Sequence, residues 1–307
     1  MKYTKVSSIT ITYNPEMDIL RNQLSSLSEQ VEKVIVVDNH SDNIVAIEHL
    51  VNEFKSIELI KLPSNLGIAA AQNEGIFLAK KLGQENVVLF DHDSDVPADF
   101  IKGLLESRDE LTKRGFKVGA IGPIYSNADT GEMYPVAKFK SSSKYTGFKL
   151  ERIYLNNERT FSEVYLLIAS GCLISIDVIE DVGNMDENLF IDNVDLEWCY
   201  RVRSKGYKVF ATSKAHLQHR IGEGSRKVFG RKVSIHSNIR RYYNIRNNLF
   251  LLKYNYVPLG AKFRGVLYIL TSSALGLLDT PKVKEYLLYN YYAFIDFIKS
   301  KTGKFNH

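Results

Sequence analysis

An α/β fold built on a mostly parallel sheet follows from three features of the first 120 residues. Short β-branched runs alternate with stretches of helical periodicity, the links between them are brief, and a polar cluster closes each run. The runs are KVSSITITY (5–13), EKVIVVD (32–38), SIELIKL (56–62) and NVVLFD (86–91). Val, Ile and Thr restrict their own χ1 and fit a pleated surface, so each run reads as a strand. After the first, Leu20, Leu24, Leu27 and Val31 recur at three- and four-residue spacing and predict a helix. After the third, Ile68, Ala71, Gly75, Leu78 and Leu82 predict another. Strand, helix, strand with short links requires crossovers that lay the helices on the sheet faces.

Composition narrows the function classes. The chain has 307 residues, is 45% hydrophobic and contains seven prolines, which excludes a disordered chain. Its two cysteines, Cys172 and Cys199, form no CxxC pair, so neither a disulfide framework nor a zinc cluster is expected, and a reducing cytoplasm fits. The opening MKYTKVSSITITYN lacks the apolar core and cleavage site of a secretory signal. Charge is uneven: residues 1–200 hold 19 Lys and Arg against 31 Asp and Glu, whereas 201–307 hold 21 against 4. An acidic body with a basic tail attracts a polyanion: nucleic acid, the anionic face of a membrane, or a phosphorylated lipid.

In open parallel sheets, ligands bind outside the carboxyl ends of the strands. Here the segments following the strands are TYNP (12–15), VDNHSDN (37–43), PSNLGIAAAQNEG (63–75) and DHDSD (91–95), four polar clusters at one expected edge. Pro97 is expected in the first turn of the next helix. Asp91 and Asp93, two residues apart, can point to one side, and paired hard oxygens favour Mg²⁺ or Mn²⁺ over zinc. Such a cation completes its shell with water and substrate phosphates, which implies a diphosphate ligand. There is no GxxxxGK[ST] loop and no GxGxxG after the first strand, so neither a P-loop nucleotidase nor a dinucleotide-binding dehydrogenase is indicated.

The ordered motifs TYNP, VVDNHSD, NLGIAAAQNEG, LFDHDSD, ASGCLIS, FIDNVDLEWCYR and HLQHRIGEG resemble glycosyltransferase family 2, the inverting nucleotide-sugar transferases of GT-A fold. Within it, NLGIAAAQNEGI and FIDNVDLEWCYR are most similar to bacterial rhamnosyltransferases that build O-antigens and other surface polysaccharides. The resemblance spans about residues 5–250. It implies a GT-A catalytic domain over 1–234, with a nucleotide-sugar half (about 1–120) and an acceptor half (about 121–234), followed by a helical region over 235–307. It also implies a divalent cation, a dTDP-L-rhamnose or related donor, and a polysaccharide or polyprenyl-diphosphate-linked acceptor.

Residue by residue, the resemblance implies that Asp38 accepts the N3–H of a uracil or thymine ring, with Thr12, Tyr13 and Asn14 lining base and ribose. Asn65, Gly67 and Asn73 would shape the donor pocket. In DHD, Asp93 would ligate the metal and Asp91 would contact ribose or the metal's waters, with His92 at the variable middle position. Asp195 matches the catalytic base, and Asp192 is the competing candidate. Glu197, four residues before Arg201, suits a helical ion pair, and Trp198 suits either a sugar face or the core. Gly171, in SGCLIS, falls on the acceptor side. His219 would be a further metal ligand, and Arg220 opens a basic, glycine-punctuated loop suited to a diphosphate.

Beyond residue 234 the chain becomes helical, aromatic and basic, and Arg240, Arg241, Tyr242, Tyr243 and Arg246 resemble the YY..RN segment of the same enzymes. The longest apolar run, 266–278, is shorter than the ~20 residues that span a bilayer. The tail is therefore expected to lie on the inner face of the cell membrane, keeping the protein cytoplasmic and peripheral, with a second subunit as the alternative partner and no nucleic acid.

Overall fold

Seven consecutive buried residues, Val6 to Thr12, end the first strand, β1 (Tyr3–Thr12), and anchor the sheet. The computed structural model describes residues 2–128, 130–140, 147–219, 225–228, 231–234, 237–279 and 282–307, with backbone alone at 219, 225–228, 231–234, 278 and 279. The first half alternates β1, α1 (Met17–Gln30), β2 (Val31–Asp38), α2 (Ile44–Val51), β3 (Ile57–Lys61), α3 (Ile68–Lys81), β4 (Asn86–Asp91) and α4 (Phe100–Lys113). Then come β5 (Val118–Asn127), a small hairpin β6 (Val136–Phe139) and β7 (Leu150–Ile153), β8 (Phe161–Glu163), β9 (Cys172–Ser175), α5 (Ile176–Val182), α6 (Val194–Ser204) and β10 (Lys208–His219). A second hairpin, β11 (Ser225–Val228) and β12 (Arg231–Ser234), precedes α7 (Asn238–Lys253), α8 (Leu259–Asp279) and α9 (Val283–Ile298).

The main sheet runs β3-β2-β1-β4-β9-β5-β10-β8. β3, β2, β1 and β4 are mutually parallel; β9 inserts antiparallel between β4 and β5, and β8 is an antiparallel edge. Strand side chains alternate between two cores. Val34, Val36 and Phe90 meet Leu20, Leu24, Ile47 and Leu104 of α1, α2 and α4, while Ile9, Ile35 and Val37 meet Ala71 and Ile76 of α3 on the other face. The result is the three-layer α/β arrangement, a mostly parallel sheet between helices, expected from the alternation.

Two details differ from the sequence reading. Val31 begins β2 rather than ending α1: its N–H still bonds Leu27 O, but its backbone is extended and pairs with Tyr3. Pro97 lies before α4, not in its first turn, because Ser26 and Gln30 of α1 bind the Val96 and Pro97 carbonyls and hold that segment extended.

The three last helices pack on the body. Tyr242 and Tyr243 share a cluster with Phe190, and Phe250 joins the core beneath α3. Arg246 and Asn247 are fully buried, and their side chains bind the backbone of the 188–192 loop.

Candidate active site

Strand register assembles the first part of the site. Thr12 pairs with Asp38 and Ile11 with Asp91, so the ends of β1, β2 and β4 lie side by side at one sheet edge. Asp38 is buried. Thr12 Oγ1 donates to its Oδ1 at 2.9 Å, the Ser41 N–H donates to Oδ2 at 2.9 Å, and the Ser41 hydroxyl also donates to Oδ1. These bonds orient the carboxylate and still leave Oδ2 a lone pair. Asn14, at φ 50, donates its N–H to Ser41 Oγ at 2.9 Å and accepts from Asp42 N at 2.7 Å, bracing the two loops together. Tyr13 is exposed beside them. Asn65 Oδ1 accepts from Asn39 Nδ2 at 3.0 Å and from Gly67 N at 3.1 Å, which ties the third cluster to the second.

Asp91 sits at the mouth of β4. Its N–H donates to Ser170 Oγ at 3.3 Å, and Gln23 holds its carbonyl at 2.7 Å. Burial, then the charge of Asp93, pushes its carboxyl up to about 6, with the Arg240 charge acting in the opposite direction. His92 Nδ1 lies 3.3 Å from Ile11 O, and Asp93 is exposed. A cation would relieve the repulsion that Asp93 exerts on Asp91, and the hard oxygens of the two carboxylates fit Mg²⁺ or Mn²⁺. Among the described residues no group of three or more metal-ligand side chains forms, so water and diphosphate would have to complete the shell.

Asp195 stands in the first turn of α6. Its Oδ2 accepts the Ala169 N–H at 3.1 Å. Burial, then the Asp91 charge, pushes it up to about 6; bonds from its own and the Ala169 N–H resist, and Asp192 adds a smaller upward push. The upward push of the Asp91 charge on Asp195 puts the two carboxylates within electrostatic reach of each other.

The loop before α6 is held under strain. Phe190, Asp192 and Asn193 all have φ 63, and Ile191 N donates to Leu189 O at 2.7 Å, closing a tight positive-φ turn. Asn247 Nδ2 binds Leu189 O, Ile191 O and Asp192 O at 2.7–2.9 Å, while Arg246 binds Asn188 O and Leu189 O. Asp192 pairs with Arg240 and is thereby committed to α7 rather than free to act as a base.

Several other candidates serve the fold. Gly67 has φ 91, and a Cβ there would lie 2.5 Å from Phe190 O and within 2.6 Å of its ring, so its missing side chain makes room for the strained loop. Asn73 is spent on Met185 N, Met185 O and Glu187, clamping α3 to the chain ahead of that loop. Gly171, at φ 81, would set a Cβ against Leu217, Phe100 and Pro123. Trp198 is 2% exposed and donates to Gly183 O, so it packs in the core rather than presenting a sugar platform. Glu197 is fully buried in a two-pronged pair with Arg201 and accepts from Tyr256. Burial raises both cysteine thiols, leaving them unreactive.

The backbone of His219 pairs with Asn127, and Gln218 bridges Asp95, so this strand end runs beside the DHD turn. The side chain of His219 and all of Arg220 lie outside the described residues. Sequence reasoning missed the work of Gln23, Arg240 and Asn247. The polar Arg246–Asn247 pair inside an otherwise apolar helix face was the available signal.

The sequence model of glycosyl transferase family 2 matches residues 7–182. The chain is 35% identical over 301 residues, 98% of its own length and 97% of the relative's, to dTDP-rhamnosyl transferase RfbF of Shigella flexneri. It is 23% identical over 192 residues, 62% of this chain and 43% of the relative, to poly-β-1,6-N-acetyl-D-glucosamine synthase of Staphylococcus aureus. Among solved structures it is similar to S. aureus TarS 1–349, with TM-score 0.57 and 16% identity, covering 96% of this chain and 80% of that one. It is also similar to GalNAc-T7 with UDP, GalNAc and Mn²⁺, with TM-score 0.55, 12% identity, and 96% and 57% coverage. The chain therefore belongs to glycosyl transferase family 2 and is a glycosyltransferase of GT-A fold. Across its whole length it is similar to a rhamnosyl transferase.

Proposed function

We propose that this chain is an inverting transferase that moves L-rhamnose from dTDP-L-rhamnose to a hydroxyl of a growing, lipid-linked polysaccharide. The observation that carries the chemistry is Asp195, in the first turn of α6 and within electrostatic reach of Asp91, with both carboxyls pushed up to about 6. The donor rests on the end-to-end similarity to the Shigella flexneri dTDP-rhamnosyl transferase.

The nucleoside would lie over the ends of β1 and β2. Asp38, preset by Thr12 and Ser41, accepts the pyrimidine N3–H, and Tyr13 and Asn14 flank base and ribose. A divalent cation, Mg²⁺ or Mn²⁺, held by Asp93 and Asp91 with His219 as a further candidate, would neutralise the leaving diphosphate. Arg240 brings a fixed positive charge to the same region. Asp195 takes the proton of the acceptor hydroxyl as that oxygen bonds the anomeric carbon. The bond from that carbon to the diphosphate breaks, its electron pair leaves with the nucleoside diphosphate, and attack from the opposite face inverts the configuration. A carboxylate near 6 is a stronger base than an ordinary one and is still ionised at neutral pH.

Among the described residues no helix is long and apolar enough to cross a membrane. α8 and α9 instead expose Phe263, Leu267, Leu270, Leu287, Tyr291 and Ile298 within the basic part of the chain. This supports peripheral contact with an anionic membrane face, where a lipid-linked acceptor resides.

A UDP-hexose donor is the second reading, since Asp38 accepts an N3–H from uracil as readily as from thymine, and a similar S. aureus structure is a complex with UDP-GlcNAc. Calorimetry with dTDP, UDP and GDP, with and without Mn²⁺, tests both. Cation-dependent preference for dTDP is expected; preference for UDP moves the donor to the second reading, and no nucleotide binding overturns both.

A further inference from the structure

Asp195 lines a small cavity, about 20 Å³, enclosed by α3, α6 and the sheet. Leu89 of β4 and Ile174 of β9 form its floor, and Leu167, Met185 and Trp198 form its sides. Eight of the lining residues are buried, whereas Ile168, Ala169 and Asp195 are partly exposed. Those three therefore form the mouth, and the cavity opens where a substrate meets the base. Its room is that of about one water or one methyl group.

Gln72 of α3 brings an amide to this otherwise apolar wall. It is 2% exposed, and its side chain forms no hydrogen bond among the described residues. Its neighbour Asn73, by contrast, has both amide atoms committed to Met185 and Glu187. A buried amide left unmet is costly, and a ligand that reaches it supplies the missing partner.

The reaction geometry brings the sugar to this mouth. A base hydrogen-bonds the attacking oxygen at about 3 Å, and that oxygen stands about 3–3.5 Å from the anomeric carbon. The anomeric carbon then lies within about 6.5 Å of the Asp195 carboxyl, so substituents of the same ring reach the cavity that this carboxyl borders. A 6-deoxyhexose has one carbon substituent without a hydroxyl, the C6 methyl. That methyl suits a wall of Leu89, Leu167, Met185 and Trp198, and the hydroxyl on C4, one ring carbon away, suits the free amide of Gln72.

We propose that this cavity selects the donor sugar: it takes the C6 methyl of a 6-deoxyhexose, and Gln72 binds the C4 hydroxyl. The proposal rests on the rhamnosyl reading, with Asp195 as base, and adds the residues that choose the sugar. A hexose in the same pose pushes a C6 hydroxyl into a space that holds only a methyl and strands it among apolar side chains. Such a pocket discriminates by about 10²-fold.

The test is calorimetry on the whole chain with Mn²⁺, comparing dTDP-L-rhamnose, its 6-hydroxy analogue dTDP-L-mannose, and dTDP. The wild type should bind the rhamnose donor about 100-fold tighter than the analogue. Leu167→Ala, which trims the wall, should narrow that ratio to tenfold or less by strengthening the analogue, with dTDP affinity unchanged. Gln72→Met, close in shape, should weaken the rhamnose donor about tenfold, leave dTDP affinity unchanged and melt no lower than wild type, because it gives up no hydrogen bond within the protein. The second variant tests the proposal even where the trimmed core of the first does not fold. Equal affinity of the wild type for the two donors, or preference for the 6-hydroxy analogue, would overturn the proposal. So would an unchanged ratio in a folded Leu167→Ala chain, or wild-type affinity for the rhamnose donor in Gln72→Met. Failure of the wild type to bind dTDP, or preference for UDP, would instead remove the underlying rhamnosyl reading.

Discussion

Replacing Asn247 with alanine tests whether α7 positions the catalytic carboxylate. The Asn247 side chain is fully buried, and its Nδ2 holds the carbonyls of Leu189, Ile191 and Asp192 at 2.8, 2.7 and 2.9 Å. Losing hydrogen bonds to buried carbonyls costs about 1 kcal/mol each, so the clamp is worth roughly 2–4 kcal/mol in total. The loop it holds has positive φ at Phe190, Asp192 and Asn193, each a conformation that stores about 1–3 kcal/mol. The strain, about 3–9 kcal/mol over the three residues, matches or exceeds the clamp, so Asn247→Ala should let the loop relax, and α6 begins immediately after it at Val194. Asp195 moves with that helix turn, and a displacement of ~1 Å at a reacting group can lower kcat about 100-fold. The nucleotide edge on β1 and β2 shares no contact with Asn247, so dTDP affinity should stay within about twofold. Asn238→Ala, which removes only a bond from α7 to Glu285, serves as the control for general loosening of the tail. Steady-state kinetics with calorimetry decides the matter. A variant of lower melting temperature but undiminished kcat would refute a positioning role for Asn247.

Asp195→Asn should lower transfer by about 10²–10⁴-fold while keeping donor affinity, read by single-turnover assay and calorimetry. Because Asp195 is raised in the folded protein, its ionised form disfavours folding above the ordinary carboxylate range; the same variant should melt no lower than wild type at pH 7. The base must be ionised, so kcat/KM should fall as pH drops through about 6, and a bound cation opposing the Asp91 charge should shift that limb lower; a flat profile from pH 5 to 8 would argue against this base. Asp93→Ala should remove the Mn²⁺ dependence of dTDP binding with little change in melting temperature, since Asp93 is exposed; retained cation dependence would place the metal elsewhere. Flotation with phosphatidylserine vesicles should capture the protein at low salt and release it as salt rises, because screening weakens the attraction of the basic tail; equal capture by neutral vesicles would make the contact purely apolar.

The nucleotide half was legible in the residue order. β-branched runs closed by polar clusters fixed the strands to within about two residues, and parallel pairing then set Thr12, Asp38 and Asp91 abreast. Local periodicity carries that information because strands and helices repeat over few residues. Three things needed the folded chain. Gly67, Asn73 and Trp198 look like donor or sugar contacts by motif, yet each is consumed by packing against segments more than ten residues away in sequence. The charge pattern of the tail showed that it was basic, not that Arg240, Arg246 and Asn247 reach back to the loop ahead of Asp195. The cavity beside Asp195 draws its wall from α3, α6 and the sheet, which no local pattern connects. Periodicity reports which face of an element is buried; which distant element covers it, and which polar groups are thereby spent or left unmet, is decided only when the helices close on the sheet.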